Sequence, residues 1–258
     1  MWAAEPTSTP TNAATVIDSL LLAAARIGTF EIDRGLTNAS GFFFLREEKL
    51  FLVTSRHVLR DKPSLHFPNR IEIELHTDPD NLAESTGFSI PLYGDGKSLW
   101  RQGQDKSGDI DVAVIEIERA ALPPRTLYRA FTPEHLPGRL DLVEVGSSLL
   151  VVGFPLGFHD TLHHMPVVRQ AVLASSFGLR FKGEGYFLTD ARTHRGTSGA
   201  PVVMRVYSQD QARGDLPWLL LGVHSARLDV GSRDLELDEA LGLNCAWYAD
   251  ILMTLTEY

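Results

Sequence analysis

Short apolar or alternating runs recur along most of the chain, and turn-forming Gly, Pro, Asn and Asp residues separate them. Runs of this length and spacing predict β-strands, because a strand places alternate side chains on opposite faces. Few long helical periods lie between them, so the pattern favours an all-β sandwich or barrel over alternating strands and helices. The predicted strands are 41–45, 50–53, 71–75, 111–117, 148–154, 167–174, 186–188, 201–206 and 218–223.

The two ends of the chain have a different pattern. Residues 1–12 are rich in Pro, Thr and Ala, which is typical of a mobile tail, and a short helix is expected to begin in 13–26. Residues 244–256 carry apolar side chains at mixed three- and four-residue spacing, as an amphipathic helix does. We therefore expect a short N-terminal helix and a C-terminal helix beside the β-strands.

Prolines divide the chain into halves of similar size. Four prolines lie within 119–142, and proline cannot occupy a central strand because it lacks the backbone N–H. Segment 123–141 is interpreted as a connector between an N-terminal β domain, 13–122, and a C-terminal β domain, 142–258. A chain of 258 residues is long enough for one large domain or two small ones, each with its own core.

Composition and charge exclude several classes of protein. Apolar residues make up 44% and charged residues 22%, as in ordinary globular chains. A net charge of -9 argues against nucleic acid as a partner, and no apolar run is long enough to cross a membrane. The first basic residue, Arg26, follows the first apolar stretch, unlike a secretory signal. We expect a cytoplasmic protein, or one from which a leader has been removed.

The segment around Ser198 carries the strongest chemical signal. In the sequence His-Arg-Gly-Thr-Ser-Gly-Ala-Pro, Ser198 lies close to Gly196 and Gly199 and just before an apolar strand. Glycines let a backbone approach a substrate closely, and the N–H groups of Gly196 and Ser198 would converge on an oxyanion in such a turn. A nucleophilic hydroxyl also needs a base that a carboxylate orients. His57, which closes a strand, and Asp111, which opens one, supply these groups.

These segments resemble those of the chymotrypsin-like (trypsin-like) serine peptidases. That family has Thr-Ala-Ala-His at a strand end, an Asp before an apolar strand, and Gly-x-Ser-Gly-Gly-Pro, in the same order as here. The resemblance implies His57 as general base, Asp111 as its orienting carboxylate, and Ser198 as nucleophile, with Gly196 and Ser198 forming the oxyanion hole. It implies Ser225 as the residue that pairs with the substrate backbone. The expected fold is two packed antiparallel six-stranded β-barrels with the site at their interface.

Two alternatives at this site follow from the sequence. Asp109 and Asp111 have the same strand parity, and Asp111 is preferred because the family's apolar Val-Ala-Val pattern follows it directly. Asp109 is then a turn or strand-capping carboxylate. An α/β-hydrolase is rejected, because Ala200 stands where Gly-x-Ser-x-Gly needs its last glycine and His224 is the only later histidine.

Departures from the family pattern place the chain nearer to one branch. Thr197 stands where digestive and clotting enzymes have an aspartate that pairs with a newly cut N-terminus, so that activation route is not expected. With Cys245 as its single cysteine, expected to be a small buried side chain, the chain forms no intrachain disulfide. It resembles the disulfide-free bacterial branch, which includes HtrA-type peptidases and glutamyl endopeptidases.

The resemblance to glutamyl endopeptidases predicts a substrate preference. His224 and Thr193 match the positions that recognise an acidic P1 side chain in those enzymes, and Arg192 and Arg227 would add positive potential. A Glu preference, with Asp or Gln second, is predicted. The competing interpretation makes His224 a strand histidine with a satisfied hydrogen bond and leaves Arg192 in water. Arg227 would either narrow the pocket mouth or block it.

Two other clusters contain side chains that bind metals in other proteins. His159 and His163 have a spacing of four with Asp160 between them, and His164 follows. The run lies after Gly157 between two predicted strands, with no third distant ligand, so a loop near the cleft is expected, with no metal and no cofactor. The acidic stretch 229–239 lacks the EF-hand spacing and is interpreted as a solvated loop.

The sequence therefore predicts a serine endopeptidase that acts on protein or peptide substrates through an acyl-enzyme, with activity rising with pH as His57 loses a proton. One alternative is an inactive pseudopeptidase that holds a peptide or regulates a partner. An intermediate alternative is a latent peptidase that an activating protein partner switches on. A metal-dependent hydrolase at the His159 cluster is a third, and sensitivity of the activity to chelators would distinguish it.

Overall fold

A computed structural model describes residues 17–206, 214–225 and 242–257. The predicted tail at 1–12, the acidic stretch 229–239 and Arg227 lie outside the described residues. Among the described residues, none of the helices is long and apolar enough to cross a membrane.

The N-terminal half folds into a seven-stranded antiparallel sheet. Its strands follow the order β5-β4-β1-β2-β3-β9-β8, and β6 and β7 form a separate small hairpin. The strands are β1 (Ala24–Glu31), β2 (Arg34–Arg46), β3 (Lys49–Thr54), β4 (Arg70–His76), β5 (Ser85–Pro91), β6 (Tyr93–Gly94), β7 (Lys97–Ser98), β8 (Trp100–Asp105) and β9 (Gly108–Ile117). A single helical turn, α1 (Arg56–Leu59), follows β3.

The C-terminal half forms a closed six-stranded barrel in the order β10-β11-β12-β15-β14-β13. Closure leaves no strand edge exposed, because each strand pairs with a neighbour on both sides. The strands are β10 (Ser148–Gly153), β11 (Val167–Leu173), β12 (Tyr186–Asp190), β13 (Pro201–Arg205), β14 (Trp218–Ser225) and β15 (Leu243–Tyr248). A short helix, α2 (Ile251–Leu255), follows the barrel.

The two halves pack against each other through a shared hydrophobic core. Phe42 and Phe44 of β2 lie in the same buried cluster as Val203 and Trp247 of the barrel. Phe43, between the two phenylalanines, points to the opposite face and packs in a cluster inside the N-terminal sheet. The middle of strand β2, residues 39–44, is therefore buried on both faces, and Ser40 in this stretch bonds to the loop between β12 and β13.

The nine predicted strands all lie in strands of the structure, and the all-β class is confirmed. In detail, the N-terminal half is a sheet of seven strands, of which β8 is a polar edge strand without a strong apolar pattern. The expected N-terminal helix is a single 3-10 turn, Ser19–Ala23, and β1 begins directly after it.

The C-terminal segment 244–256 differs from its prediction in its first half. Residues 243–248 form β15, and only Ile251–Leu255 are helical. Strand pairing prevails there because β15 closes the barrel between β12 and β14, so both of its edges find hydrogen-bond partners.

The proline-rich segment follows the N-terminal sheet before the chain enters the barrel. Phe131 donates its N–H to Phe43 O at 2.9 Å and accepts from Leu45 N–H at 2.7 Å. The same residue is fully buried and meets Phe42 edge-to-face, with ring centroids 5.7 Å apart. The proposed connector boundary at 123–141 stays a prediction.

Candidate active site

His57 and Asp111 meet at the end of two neighbouring strands. Strands β3 and β9 pair with Thr54 opposite Ala113, so the turn that follows β3 lies beside the first half of β9. The backbone N–H of His57 donates to Asp111 Oδ1 at 2.9 Å, and ring Nδ1 lies 2.7 Å from Oδ2. Two contacts with one carboxylate fix both the main chain and the ring of His57.

Asp111 is an ionised carboxylate in this arrangement. Burial raises its pKa, but the charge of His57 and hydrogen bonds from His57 and Ser225 outweigh burial and hold the pKa below its usual value of 3.8. Ser225 Oγ donates to Asp111 Oδ2 at 2.7 Å. Because an ionised carboxylate only accepts, Nδ1 of neutral His57 carries the proton, and the Nε2 lone pair is left to act as a base.

Ser198 belongs to the C-terminal half of the molecule. It lies in the loop between β12 and β13, is 7% exposed, and accepts at its carbonyl oxygen from Ser40 N–H of β2 at 2.9 Å. That bond joins the two halves of the molecule at Ser198. Within the described residues, no hydrogen bond joins Ser198 Oγ to His57 Nε2. In free enzymes this contact is often long and tightens when substrate binds.

The loop before Ser198 exposes two backbone donors. Arg195 O accepts from Leu156 N–H at 2.5 Å, and Thr197 O accepts from Ala200 N–H at 3.0 Å. These bonds direct the carbonyl oxygens to other partners. Among the described residues, the N–H groups of Gly196 and Ser198 donate to no acceptor. Two unpaired donors one residue apart are what an oxyanion hole requires.

Gly196 is the position where this turn needs a glycine. Its φ is +91°, in the left-handed region. A Cβ there would lie 2.6 Å from Phe154 O and 2.8 Å from Leu156 N. The loop therefore packs directly on the backbone of the segment that follows β10, and that contact fixes the turn.

A family model described as the trypsin-like peptidase domain matches residues 39–206, which include His57, Asp111 and Ser198. The chain belongs to the trypsin-like peptidase family.

Solved structures agree with this trypsin-like fold. The HtrA-type protease AlgW, determined with a tripeptide, is 19% identical with a TM-score of 0.52, covering 91% of this chain and 58% of that one. A serine endoprotease from Yersinia pestis is 15% identical with a TM-score of 0.51, covering 96% of this chain and 66% of that one. The chain thus spans about three fifths to two thirds of the length of these structures. A comparison with curated proteins finds no match.

Ser225 has a contact with Asp111 that the sequence did not reveal. It was expected to pair with the substrate backbone, and its side chain bonds to Asp111 instead. The two roles are compatible, because the backbone of Ser225 is a separate group from its hydroxyl. The neighbouring carbonyl of His224 accepts from Gly199 N–H at 2.8 Å and from Ser55 Oγ at 3.2 Å. This end of β14 therefore contacts both the loop that carries Ser198 and the carboxylate of Asp111.

The His224 side chain is fully buried, and neither ring nitrogen has a partner among the described residues. Burial, together with the nearby charge of His57, lowers its pKa to about 4. The imidazole is therefore neutral near pH 7 and has a donor and an acceptor to offer. The competing interpretation of a strand histidine with a satisfied hydrogen bond finds no partner for this ring among the described residues.

The depressed pKa of His224 makes the fold sensitive to mild acid. An unfolded histidine takes up its proton near pH 6.5, whereas folded His224 does so near pH 4, so the unfolded state binds more protons between these values. Stability is expected to fall as the pH drops through this window, by about 3 kcal/mol from this group. Urea denaturation of wild type and His224→Gln at pH 7 and pH 4.5 would measure it. The Gln variant should lose less stability, and equal losses would contradict the assignment.

Within the described part of the chain, neither Thr193 nor Arg192 forms a hydrogen bond with this buried ring. Asn244 Nδ2 donates to Ala191 O at 2.7 Å, so its Oδ1 faces Thr193 Oγ1, which donates to it at 2.6 Å. A hydroxyl has one proton, so Thr193 has none left for a substrate carboxylate in this state. Arg192 is exposed. Asn244 was not found from the sequence, because only the pairing of β15 with β12 places it opposite Thr189, near Thr193.

Asp109 and Asp111, two residues apart on β9, have different partners. Asp109 accepts from Gln104 Nε2 at 2.6 Å and lies 3.8 Å from Arg56, while Asp111 contacts His57.

In the histidine run 159–164, His163 Nδ1 pairs with Asp160 at 2.7 Å. His159 and His164 stack with ring centroids 5.8 Å apart. Within the described part of the chain, no group of three metal-binding side chains forms.

Proposed function

We propose that this trypsin-like peptidase is a serine endopeptidase that uses Ser198, His57 and Asp111 as its catalytic triad. The observation that carries the proposal is the double contact of His57 with an ionised Asp111, together with a loop around Ser198 in which two N–H groups have no acceptor among the described residues. Base, orienting carboxylate, nucleophile and oxyanion donors are the four parts that acyl transfer needs.

The residues act in a fixed order. Ser198 Oγ attacks the scissile carbonyl carbon while His57 Nε2 takes its proton, and the N–H groups of Gly196 and Ser198 stabilise the developing oxyanion. The tetrahedral intermediate collapses as His57 returns the proton to the leaving amine. Water then attacks the acyl-enzyme ester with His57 again as base, which restores the Ser198 hydroxyl. Asp111 holds the tautomer throughout and stabilises the imidazolium that forms.

We propose Glu as the favoured P1 residue, with Gln or Asp second. Support comes from His224, whose ring nitrogens lack partners in the part of the chain that the structure describes and which directly precedes Ser225, the residue proposed to pair with the substrate backbone. A buried ring with an unused donor favours a side chain that accepts a hydrogen bond. Because His224 is neutral, it supplies no charge to separate Glu from Gln; an added preference for Glu would come from Arg192 or Arg227.

A fluorogenic peptide library that varies only P1 tests both activity and preference. Wild type should cleave Glu and Gln peptides at least about 10-fold faster than Ala, Leu or Lys peptides, since a pocket built for a hydrogen bond rejects groups that cannot form it. Ser198→Ala should cleave none of them. Equal cleavage of all P1 residues would contradict the preference and leave the triad standing, whereas cleavage by Ser198→Ala would contradict the triad.

A module that holds a peptide without turnover is the second candidate. The observation that favours it is the lack of a Ser198–His57 hydrogen bond within the described residues. Peptide binding by wild type, without cleavage, would support this candidate or a latent enzyme that awaits an activating partner. A cytoplasmic location, expected from the sequence, stays a prediction.

A further inference from the structure

Ser40 forms hydrogen bonds to the loop that carries Ser198 through both its backbone and its side chain. It is fully buried at the point where β2 passes the barrel. Its N–H donates to Ser198 O at 2.9 Å, and its carbonyl accepts from Thr54 Oγ1 at 2.7 Å. Its hydroxyl donates to Gly196 O at 2.7 Å and accepts from Phe154 N–H at 2.9 Å. Ser40 thus joins Gly196, Ser198 and the segment after β10.

The Ser40 hydroxyl holds one of the two peptides that flank the Cα of Gly196. It bonds to Gly196 O, in the peptide that joins Gly196 to Thr197, while Leu156 N–H bonds to Arg195 O, in the peptide that carries the Gly196 N–H. With both carbonyls held, the turn at Gly196 is fixed, and among the described residues its N–H donates to no acceptor. Phe154, which donates to the same hydroxyl, lies two residues before Leu156. The Ser40 hydroxyl oxygen therefore joins the loop that carries Gly196 to the segment that carries Phe154 and Leu156.

The backbone around Ser40 is closely packed. A Cβ at Gly153 would lie 2.6 Å from Ser40 Oγ, and a Cβ at Gly199 would lie 2.2 Å from Ser40 O. Two glycine backbones thus approach Ser40 closely. Loss of the hydroxyl would leave Gly196 O and Phe154 N–H buried without this partner, and an unpaired buried group favours any rotation that finds a new one.

We propose that Ser40 is a positioning residue that holds the oxyanion hole open by bonding Gly196 O through its hydroxyl. This role rests on the proposed peptidase function. Ser40 touches neither substrate nor reacting atoms and acts through Gly196. Its backbone bond to Ser198 does not depend on the side chain, so removal of the hydroxyl changes the oxyanion donors while the nucleophile keeps its anchor.

Ser40→Ala tests this role against a matched control, Thr29→Val. Thr29 is buried, and its hydroxyl also donates to a backbone carbonyl and accepts from a backbone N–H, both of Thr37, in a part of the sheet away from Ser198. Both variants therefore lose the same pair of bonds and should lose similar stability in urea denaturation. A difference in kcat between the two variants then reports on the lost hydrogen bond to Gly196 O.

The measurements use the fluorogenic peptide that wild type cleaves best and a peptide boronic acid with the same acyl-side sequence. Ser40→Ala should lower kcat about 10- to 100-fold, leave KM within about 3-fold, and weaken boronate inhibition by a factor similar to the loss in kcat. Thr29→Val should leave kcat, KM and boronate inhibition close to wild type. A boronate forms a tetrahedral anion on Ser198, so it reports on the oxyanion donors directly.

The outcomes separate this proposal from the proposed function. A wild-type chain that neither cleaves peptides nor binds the boronate overturns the peptidase function and the role of Ser40 with it. An active wild type with kcat equal in Ser40→Ala and Thr29→Val overturns the role of Ser40 alone. If Ser40→Ala does not fold, Ser40→Cys, with a weaker donor and acceptor, should still lower kcat several-fold relative to wild type, and an unchanged kcat would overturn the role.

Discussion

Replacing Asp111 by asparagine is expected to lower kcat by about four orders of magnitude while the fold persists. Asp111 accepts from both the backbone N–H and the ring of His57, and from Ser225 Oγ. An amide at this position can turn its NH₂ toward Nδ1, which makes Nδ1 an acceptor and places the imidazole proton on Nε2. Nε2 then no longer takes the proton of Ser198. Single-turnover acylation by the best fluorogenic peptide measures this step.

Asp109→Asn is the matched control for this substitution. Asp109 lies on the same strand two residues earlier, half-exposed, and contacts Gln104 and Arg56 instead of His57. Its replacement should change kcat by no more than about 3-fold, because it touches none of the groups that take part in acyl transfer. A large loss in Asp109→Asn with a small loss in Asp111→Asn would reverse the assignment.

Alanine at Gly199 is expected to destabilise the protein by about 4 kcal/mol or to prevent folding. Gly199 has a φ of +87°, and a Cβ there would lie 2.2 Å from both Ser40 O and Thr54 Oγ1 and 2.9 Å from Ser55 N. Backbone atoms from both halves of the molecule meet at this glycine, so a methyl group would push the halves apart. Urea denaturation at pH 7 measures the loss.

Gly87→Ala provides the comparison. Gly87 lies in β5, and a Cβ there would meet nothing within 4 Å. Alanine should leave stability within about 1 kcal/mol of wild type, because it fits an extended strand and reduces the entropy of the unfolded chain. If Gly199→Ala matched Gly87→Ala, the close approach of the two halves at Gly199 would be contradicted.

The sequence located the strands that carry strong local patterns. Runs such as 50–53 and 218–223 are apolar because their strands are buried, so burial and pattern coincide. The sequence does not predict strand β1, because polar Thr29 stands on the same buried face as Ala25 and Ile27, where its hydroxyl bonds to Thr37. It predicts a helix where β15 forms, because that strand depends on two partner strands far away in the sequence.

The residues of the candidate site likewise fall into two groups: those that the sequence indicates and those that only the structure brings together. His57, Asp111 and Ser198 stand in short motifs at characteristic positions, so their order along the chain sufficed to propose them. The hydroxyls of Ser40 and Ser225 carried no such signal. Their partners lie 156 and 114 residues away, and ordinary serines that satisfy buried groups look the same in a sequence. Only the packing of the two halves brings them to the site.

Intact-mass analysis after treatment with a fluorophosphonate tests the central claim most directly. An activated serine with a working oxyanion hole attacks the phosphorus, displaces fluoride and keeps the phosphonyl group, so wild type should gain one adduct that peptide mapping places on Ser198. Ser198→Ala should gain none, and Asp109→Asn should react as wild type does. A wild-type protein that gains no adduct at any pH from 6 to 9, or an adduct that persists in Ser198→Ala, would contradict the account.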